Sequence, residues 1–215
     1  MADTVTLRLD EAEDLAPAAL GASGTASGNA RATARAPVAP GADGQAGHGL
    51  SRVASYALHA RCGKVDGRAV PRVERAGAAA LRVDAGQGFA YPAVDAALAA
   101  LAPLAREAGI AVAVLHRSHH FGQAGAHAER LAAAGLVGLV LGNTPKAMAF
   151  WGGRRPMLGT NPLAFAAPLP AGRAPLVIDL ALSVAARGKI VAAQKAGKPI
   201  PEGWAADAGG RPTTD

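Results

Sequence analysis

One cysteine, Cys62, occurs in 215 residues, so no intramolecular disulfide can form and a reducing compartment, the cytoplasm, is expected. Aromatic residues make up 4% of the chain while half of it is hydrophobic. Disorder throughout is thereby excluded, and the core must be built from closely packed Ala, Leu and Val. No apolar run reaches about 18 residues without Gly, Pro or charge, and the N-terminal Met-Ala-Asp-Thr carries no basic stretch, so neither a membrane span nor a secretory leader is expected. Lysine is scarce, 5 against 17 arginines, and the arginines are scattered, the longest basic run being Arg154-Arg155. A nucleic-acid binder clusters its basic residues on one face, so nucleic acid is not an expected partner. The net charge of +6 points to a small acidic molecule or to a general arginine bias. Also missing are a Gly-x-Gly-x-x-Gly turn after a strand and a Walker lysine loop, so any dinucleotide would be held without the Rossmann device.

Glycine and proline, by contrast, number 27 and 15, well above the roughly 12% usual for the pair, and they punctuate the chain. The spacing predicts helices over 10–20 and 28–35, with Pro17 kinking or delaying the first. Pro37, Pro40 and Gly41 are expected to stop the second. A third helix is predicted over 50–61 with Leu50, Val53, Ala54, Ala57 and Leu58 on its buried face, ended by Gly63. Alternation of Val73, Ala79, Leu81 and Val83 with charged residues predicts a hairpin turning near Gly77. A helix over 91–108, a strand over 110–115, a helix over 124–134 and a strand over 136–141 follow. Strands over 163–167 and 176–180 and a helix near 185–195 complete the regular structure. Residues 198–215 read as turns with no closing helix or strand. The fold class is α/β: a small helical region over 1–70, then a mixed, sheet-containing domain with flanking helices over 71–215.

Four polar islands could carry chemistry. His116-Arg117-Ser118-His119-His120-Phe121-Gly122 lies where a strand runs out, an edge at which α/β proteins build sites. Its histidines lack Asp, Glu or Cys at ligand spacing, and neighbouring side chains of an extended chain point opposite ways. General acid/base work by an imidazole and simple hydrogen bonding to the loop both remain open. In Gly47-His48-Gly49-Leu50-Ser51-Arg52, Arg52 stands one helical turn after His48, and its guanidinium can hold a carboxylate; an ordinary glycine-rich helix start is the alternative. Gly142-Asn143-Thr144-Pro145 and Gly159-Thr160-Asn161-Pro162 can offer backbone N–H groups and hydroxyls to a phosphate, and are equally common turn compositions. Asp179, in an apolar strand, could orient a partner or hold a ribose or amide, or cap the helix beyond Ser183.

Taken in order, these segments resemble the malate/L-lactate dehydrogenase family, a non-Rossmann group that includes ureidoglycolate and sulfolactate dehydrogenases and piperideine/pyrroline-2-carboxylate reductases. The matching stretches are Gly47–Arg52, Ser118–Gly122, Gly153 with Gly159–Pro162, Ile178–Ser183, Ile200–Trp204 and Pro212–Asp215. The resemblance implies a largely antiparallel sheet, a homodimer, and NAD- or NADP-dependent interconversion of a 2-hydroxy acid and a 2-oxo acid, or reduction of a cyclic imino acid. It implies His120 as proton acceptor, with His48 as its catalytic companion at the substrate. Arg52 would take the substrate carboxylate, and Thr160 and Asn161 would lie beside the nicotinamide end. Thr144, Asp179, Leu180 and Ala181, with His120 and Gly122, would meet the cofactor; no metal is implied. Gly47 stands where many members carry Ser, and Pro37, Pro40 and Gly41 fall where the family has a continuous helix. The family also continues past position 215 through a Lys-Gly-containing segment. The expectation is therefore a C-terminally truncated member, either active or retaining only fold and dimerisation.

Overall fold

Alanine sets how closely these elements can approach. A computed structural model describes residues 6–42, 47–170 and 172–214, which divide into two compact units, Met1–Gln123 and Ala124–Asp215. In the first unit, α1 (Leu9–Gly21), α2 (Ser27–Ala42) and α3 (Ser51–Arg61) precede a hairpin of β1 (Arg72–Gly77) and β2 (Ala80–Asp84). Helix α4 (Ala90–Ala108) then crosses over to β3 (Val112–His116). β1 and β2 pair antiparallel, while β3 lies parallel to β2, with Ala80 opposite Val112 and Asp84 opposite His116. The parallel pairing requires the long α4 connection, and Gly109, at φ +80°, ends that helix.

Two clusters form the core of this unit. Ala16, Leu20, Ala30, Ala34, Tyr56, Val65, Phe89 and Tyr91 make one, in which small alanines let the helices close around a few large rings. Val83, Ala85, Ala93 and Ala97 make the other, between α4 and the sheet. Burial of a ring such as Phe89, which is 1% exposed, contributes about 2–3 kcal/mol. Period-two patterning holds in the sheet: Leu81 and Val83 face inward, while Val112 and Val114 of β3 face out.

Helix α2 corrects an expectation. It continues through Pro37 and Pro40 to Ala42. Ala30, Ala34 and Val38, at successive i+4 spacing, are all buried, and this apolar stripe outweighs the hydrogen bonds that the prolines cannot make. The buried face of α3 is also rotated from the one expected. Ala54 and Leu58 are exposed, whereas Leu50, Val53, Ala57 and Ala60 pack around Tyr56.

The second unit is built on α5 (Ala124–Ala133) and an antiparallel sheet of β4 (Gly138–Leu141), β7 (Leu163–Ala167) and β8 (Leu176–Leu180), in the order β4-β7-β8. Ala128 and Leu131 of α5 and Ala164 and Ala166 of β7 are buried. A two-stranded ribbon, β5 (Met148–Ala149) and β6 (Pro156–Leu158), precedes β7, and α6 (Arg187–Lys195) follows β8. The segment after residue 198, expected to be all turns, carries a second ribbon of β9 (Ala205–Ala206) and β10 (Pro212–Thr213), and Ile200 N–H donates to Thr214 O at 2.9 Å. The fold is therefore mixed α/β with predominantly antiparallel pairing.

Candidate active site

The first unit brings together residues 48, 52, 56, 59, 91, 119 and 120. His48 lies in the turn that leads into α3, and Arg52, Tyr56 and His59 follow at helical spacing, so one stripe of this segment is polar. The chain leaving β3 bends sharply at Arg117, whose φ of +52° is left-handed. Arg117 is held there by its two-point pairing with Asp84, both bonds 2.8 Å, and that guanidinium keeps the Asp84 carboxyl below the usual range. The bend delivers His119 and His120 to the polar stripe of α3.

The two histidines then diverge, as neighbours in extended chain should. His120 Nδ1 lies 2.6 Å from Tyr56 Oη, and its ring stacks on His48 with centroids 5.7 Å apart and planes 3° from parallel. His119 Nε2 lies 3.0 Å from His59 Nδ1, and its ring meets Phe89 and Tyr56 edge-on. Tyr56 Oη also lies 3.1 Å from Tyr91 Oη, and both tyrosines are buried. Arg52 Nε donates to Gly47 O at 2.6 Å.

Electrostatics follow from this packing. Burial, then the Arg52 guanidinium, His48 and His119 push the His120 imidazolium down to about 4. His119 is also pushed down to about 4, by burial first and then by His59, Lys64 and Arg52. Both rings are therefore neutral near pH 7, and a neutral ring can accept a proton at one nitrogen while donating from the other. Burial raises both phenols, with Tyr56 partly relieved by its bond to Tyr91 and by Arg52, so both are O–H groups at neutral pH. Among the described residues, no group of three His, Cys, Asp or Glu could hold a metal ion.

A cavity of about 520 Å³ in the first unit lies away from this cluster. Asp66, Arg68, Gln87 and Arg117 line it; the Arg117 guanidinium is engaged by Asp84, and the backbone N–H groups of Gln87 and Arg68 donate to Arg117 O and Asp66 Oδ1. The candidate site rests on chemistry rather than on cavity size.

In the second unit the other expected residues form a tight turn contact. Thr144 N–H donates to Asn161 Oδ1 at 3.1 Å, and Thr144 and Thr160 hydroxyls lie 3.1 Å apart. Asn161 adopts φ +35°, and Thr160 O accepts from Leu182 N–H at 2.8 Å. Asn143, Asn161 and Leu182 line a cavity of about 280 Å³ beside this turn, room for a ring or a ribose but less than a dinucleotide fills. Its donor set is amides without charge. Leu180 closes β8 and Ala181 follows it, next to Leu182; Leu180 is exposed. Asp179 Oδ2 accepts from Gly125 N–H at 2.7 Å. Asp179 thus caps the start of α5, 54 residues earlier, rather than the helix after Ser183, where the Ser183 hydroxyl instead donates to Ala185 O.

Reading the sequence left Tyr56, Tyr91 and His59 out of the site. The signal for Tyr56 was available: positions 48, 52 and 56 step by four, which aligns them on one helix face. Gly122, expected at the cofactor, has a different neighbour in this unit. It sits at φ +74°, and a Cβ there would meet Tyr91 Oη at 2.5 Å.

The family model described as malate/L-lactate dehydrogenase matches residues 7–215. The chain is 54% identical over 209 residues to a (2R)-3-sulfolactate dehydrogenase (NADP(+)) of Chromohalobacter salexigens, covering 97% of this chain and 62% of that protein. It is 41% identical over 213 residues to a Delta(1)-pyrroline-2-carboxylate reductase of Burkholderia multivorans, covering 99% and 62%. Among solved structures, the delta1-piperideine-2-carboxylate reductase of Pseudomonas syringae superposes with a TM-score of 0.89 at 39% identity, covering 98% of this chain and 63% of that one. The chain thus spans under two thirds of the length of these relatives.

Proposed function

The chain belongs to the malate/L-lactate dehydrogenase family, and from that premise we propose that it serves NAD(P)-dependent interconversion of a 2-hydroxy acid and a 2-oxo acid, or reduction of a cyclic imino acid. The observation that carries the reading is the convergence of His48, Arg52 and His120 in one unit, with His120 neutral and stacked on His48. Similarity to a sulfolactate dehydrogenase and to imino-acid reductases supports the substrate class, a small carboxylate. The nicotinamide, when bound, supplies or accepts the hydride. Arg52 holds the substrate carboxylate. His120 takes the hydroxyl proton in oxidation and returns it in reduction, and His48 packs on the His120 ring and lines the substrate.

For the cofactor, Thr144, Thr160 and Asn161 supply the amide and hydroxyl donors suited to a nicotinamide carboxamide or a ribose, beside a cavity of matching size. Leu180 and Ala181 would add backbone to the same contact, while Asp179 fixes the neighbouring start of α5. Exposed apolar residues on β3 and β8, among them Val112, Val114, Ile178 and Leu180, support burial in a homodimer. The exposed free Cys62 supports a cytoplasmic setting, and no helix among the described residues is long and apolar enough to cross a membrane.

The test is a fluorescence titration of the chain with NADH and NADPH, alongside turnover of 2-oxo and cyclic imino acids. His120→Ala is expected to keep cofactor binding while turnover falls at least about 10²-fold. Equal loss of both in a folded variant would refute the role given to His120.

A further inference from the structure

With His120 Nδ1 engaged by Tyr56, Nε2 is the ring nitrogen left to meet a substrate. Which form His120 presents therefore depends on who donates in the Tyr56 contact. A phenol O–H is a stronger donor than a neutral imidazole N–H, and an imidazole nitrogen is a stronger acceptor than a phenol oxygen. The favoured direction is Tyr56 O–H to Nδ1, at 2.6 Å. Tyr56 oxygen, 3.1 Å from Tyr91 Oη, can then accept from Tyr91.

We propose that Tyr56, backed by Tyr91, is a positioning residue that holds the His120 proton on Nε2, so that the resting protein offers a hydrogen-bond donor to its oxo or imino acid and is set for reduction, the proton consumed there being replaced from water. Tyr56 acts through His120, and the inference rests on the acid/base role given to that ring. In the opposite direction of reaction Nε2 must be bare. The same three protons, one on each ring, then redistribute, with Nδ1–H donating to Tyr56 Oη and Tyr56 O–H donating to Tyr91 Oη, and the proton that Nε2 takes in oxidation passes from the imidazolium to water. The paired hydroxyls give both Nδ1–H and Tyr56 O–H an acceptor in this arrangement, where leaving either buried donor unpaired would be costly. The absence of a side chain at Gly122 keeps Tyr91 Oη within reach: a Cβ there would stand 2.5 Å from that oxygen.

The test reads the tautomer directly. Long-range 1H–15N spectra of the 15N-labelled full chain, with His120 assigned by its loss in His120→Gln, should show His120 at least tenfold enriched in the Nε2–H form. Tyr56→Phe should reduce that enrichment to threefold or less. Tyr91→Phe removes the acceptor needed for the reversed arrangement, so it should keep or increase the enrichment. A His120 found mainly as Nδ1–H, or an unchanged ratio in Tyr56→Phe, overturns the proposal. Kinetics separate it from the parent reading: Tyr56→Phe should lower kcat for reduction about tenfold or more with KM within twofold. If His120→Ala instead leaves turnover intact, the catalytic reading fails while the tautomer measurement still decides the role of Tyr56.

Discussion

Holding His120 neutral has a thermodynamic consequence that a single substitution isolates. Its imidazolium is pushed down to about 4, first by burial and then by Arg52, whereas an unfolded histidine titrates near 6.5. Between those values the unfolded chain binds more protons than the folded one. Stability contributed by this site is therefore full above about pH 6.5 and is lost as the pH falls toward 4. At roughly 1.4 kcal/mol per pH unit, the whole window is worth about 3 kcal/mol, of which about 2 kcal/mol disappears between pH 7 and pH 5. The assay is urea unfolding of the wild-type chain and of His120→Gln at pH 7 and pH 5 at one ionic strength. Glutamine does not titrate, so the variant should lose about 2 kcal/mol less than the wild type over that interval. His119, also pushed down to about 4, is present in both proteins, so its own titration largely cancels in the comparison. Identical losses in the two proteins would refute the claim that His120 is buried as a neutral ring.

Two further predictions follow from charges and caps. Arg52→Met removes the largest cause of the His120 shift after burial, and the last of the four causes of the His119 shift, so in an NMR pH series the His120 imidazole should titrate nearer 6.5 and His119 should move less. The KM of a carboxylate substrate should also rise about 10- to 100-fold, the loss expected for a charge-assisted contact. Asp179→Ala removes the bond to Gly125 N–H at the start of α5 and should cost about 1 kcal/mol. Asp179→Asn, which keeps an acceptor, should cost less than half of that in the same chemical denaturation. Equal effects of the two would mean that capping is not what Asp179 does for stability.

How much of this could be read from the chain alone depended on how local each cause was. The hairpin at Gly77, the inward Leu81 and Val83, and the strands at 163–167 and 176–180 follow from alternation and turn residues within a dozen positions, and they stand where expected. The mixed α/β class was legible for the same reason. Pro37 and Pro40 misled because a proline is a local signal, whereas the burial of Val38, which favours continuing α2 past them, is tertiary. Helix α3 misled differently. Its small apolar residues occupy more than one face, and the buried one is selected by Tyr56, a ring that an apolar count does not weigh. Asp179 was legible as a capping carboxylate but not as the cap of α5, since its partner is 54 residues away.

The site shows the same division. His48, Arg52 and His120 were legible because each stands in a short polar island, and position 52 follows 48 by one helical turn. What joins them was not legible. The Tyr56–His120 contact spans 64 residues and the Tyr56–Tyr91 contact 35, distances at which pairing depends on packing rather than spacing. Arg52 then has two effects that oppose each other on the proposed reading. In the free protein its cation disfavours a proton on His120. A bound carboxylate would neutralise that cation where it acts, and the imidazole would become easier to protonate. Affinity for protons at position 120 is thereby tied to occupancy at position 52: a ring that is a weak base alone becomes a stronger one when an acidic substrate is present. The same guanidinium can serve as anchor and as tuner because α3 places it one turn before Tyr56, whose hydroxyl meets His120.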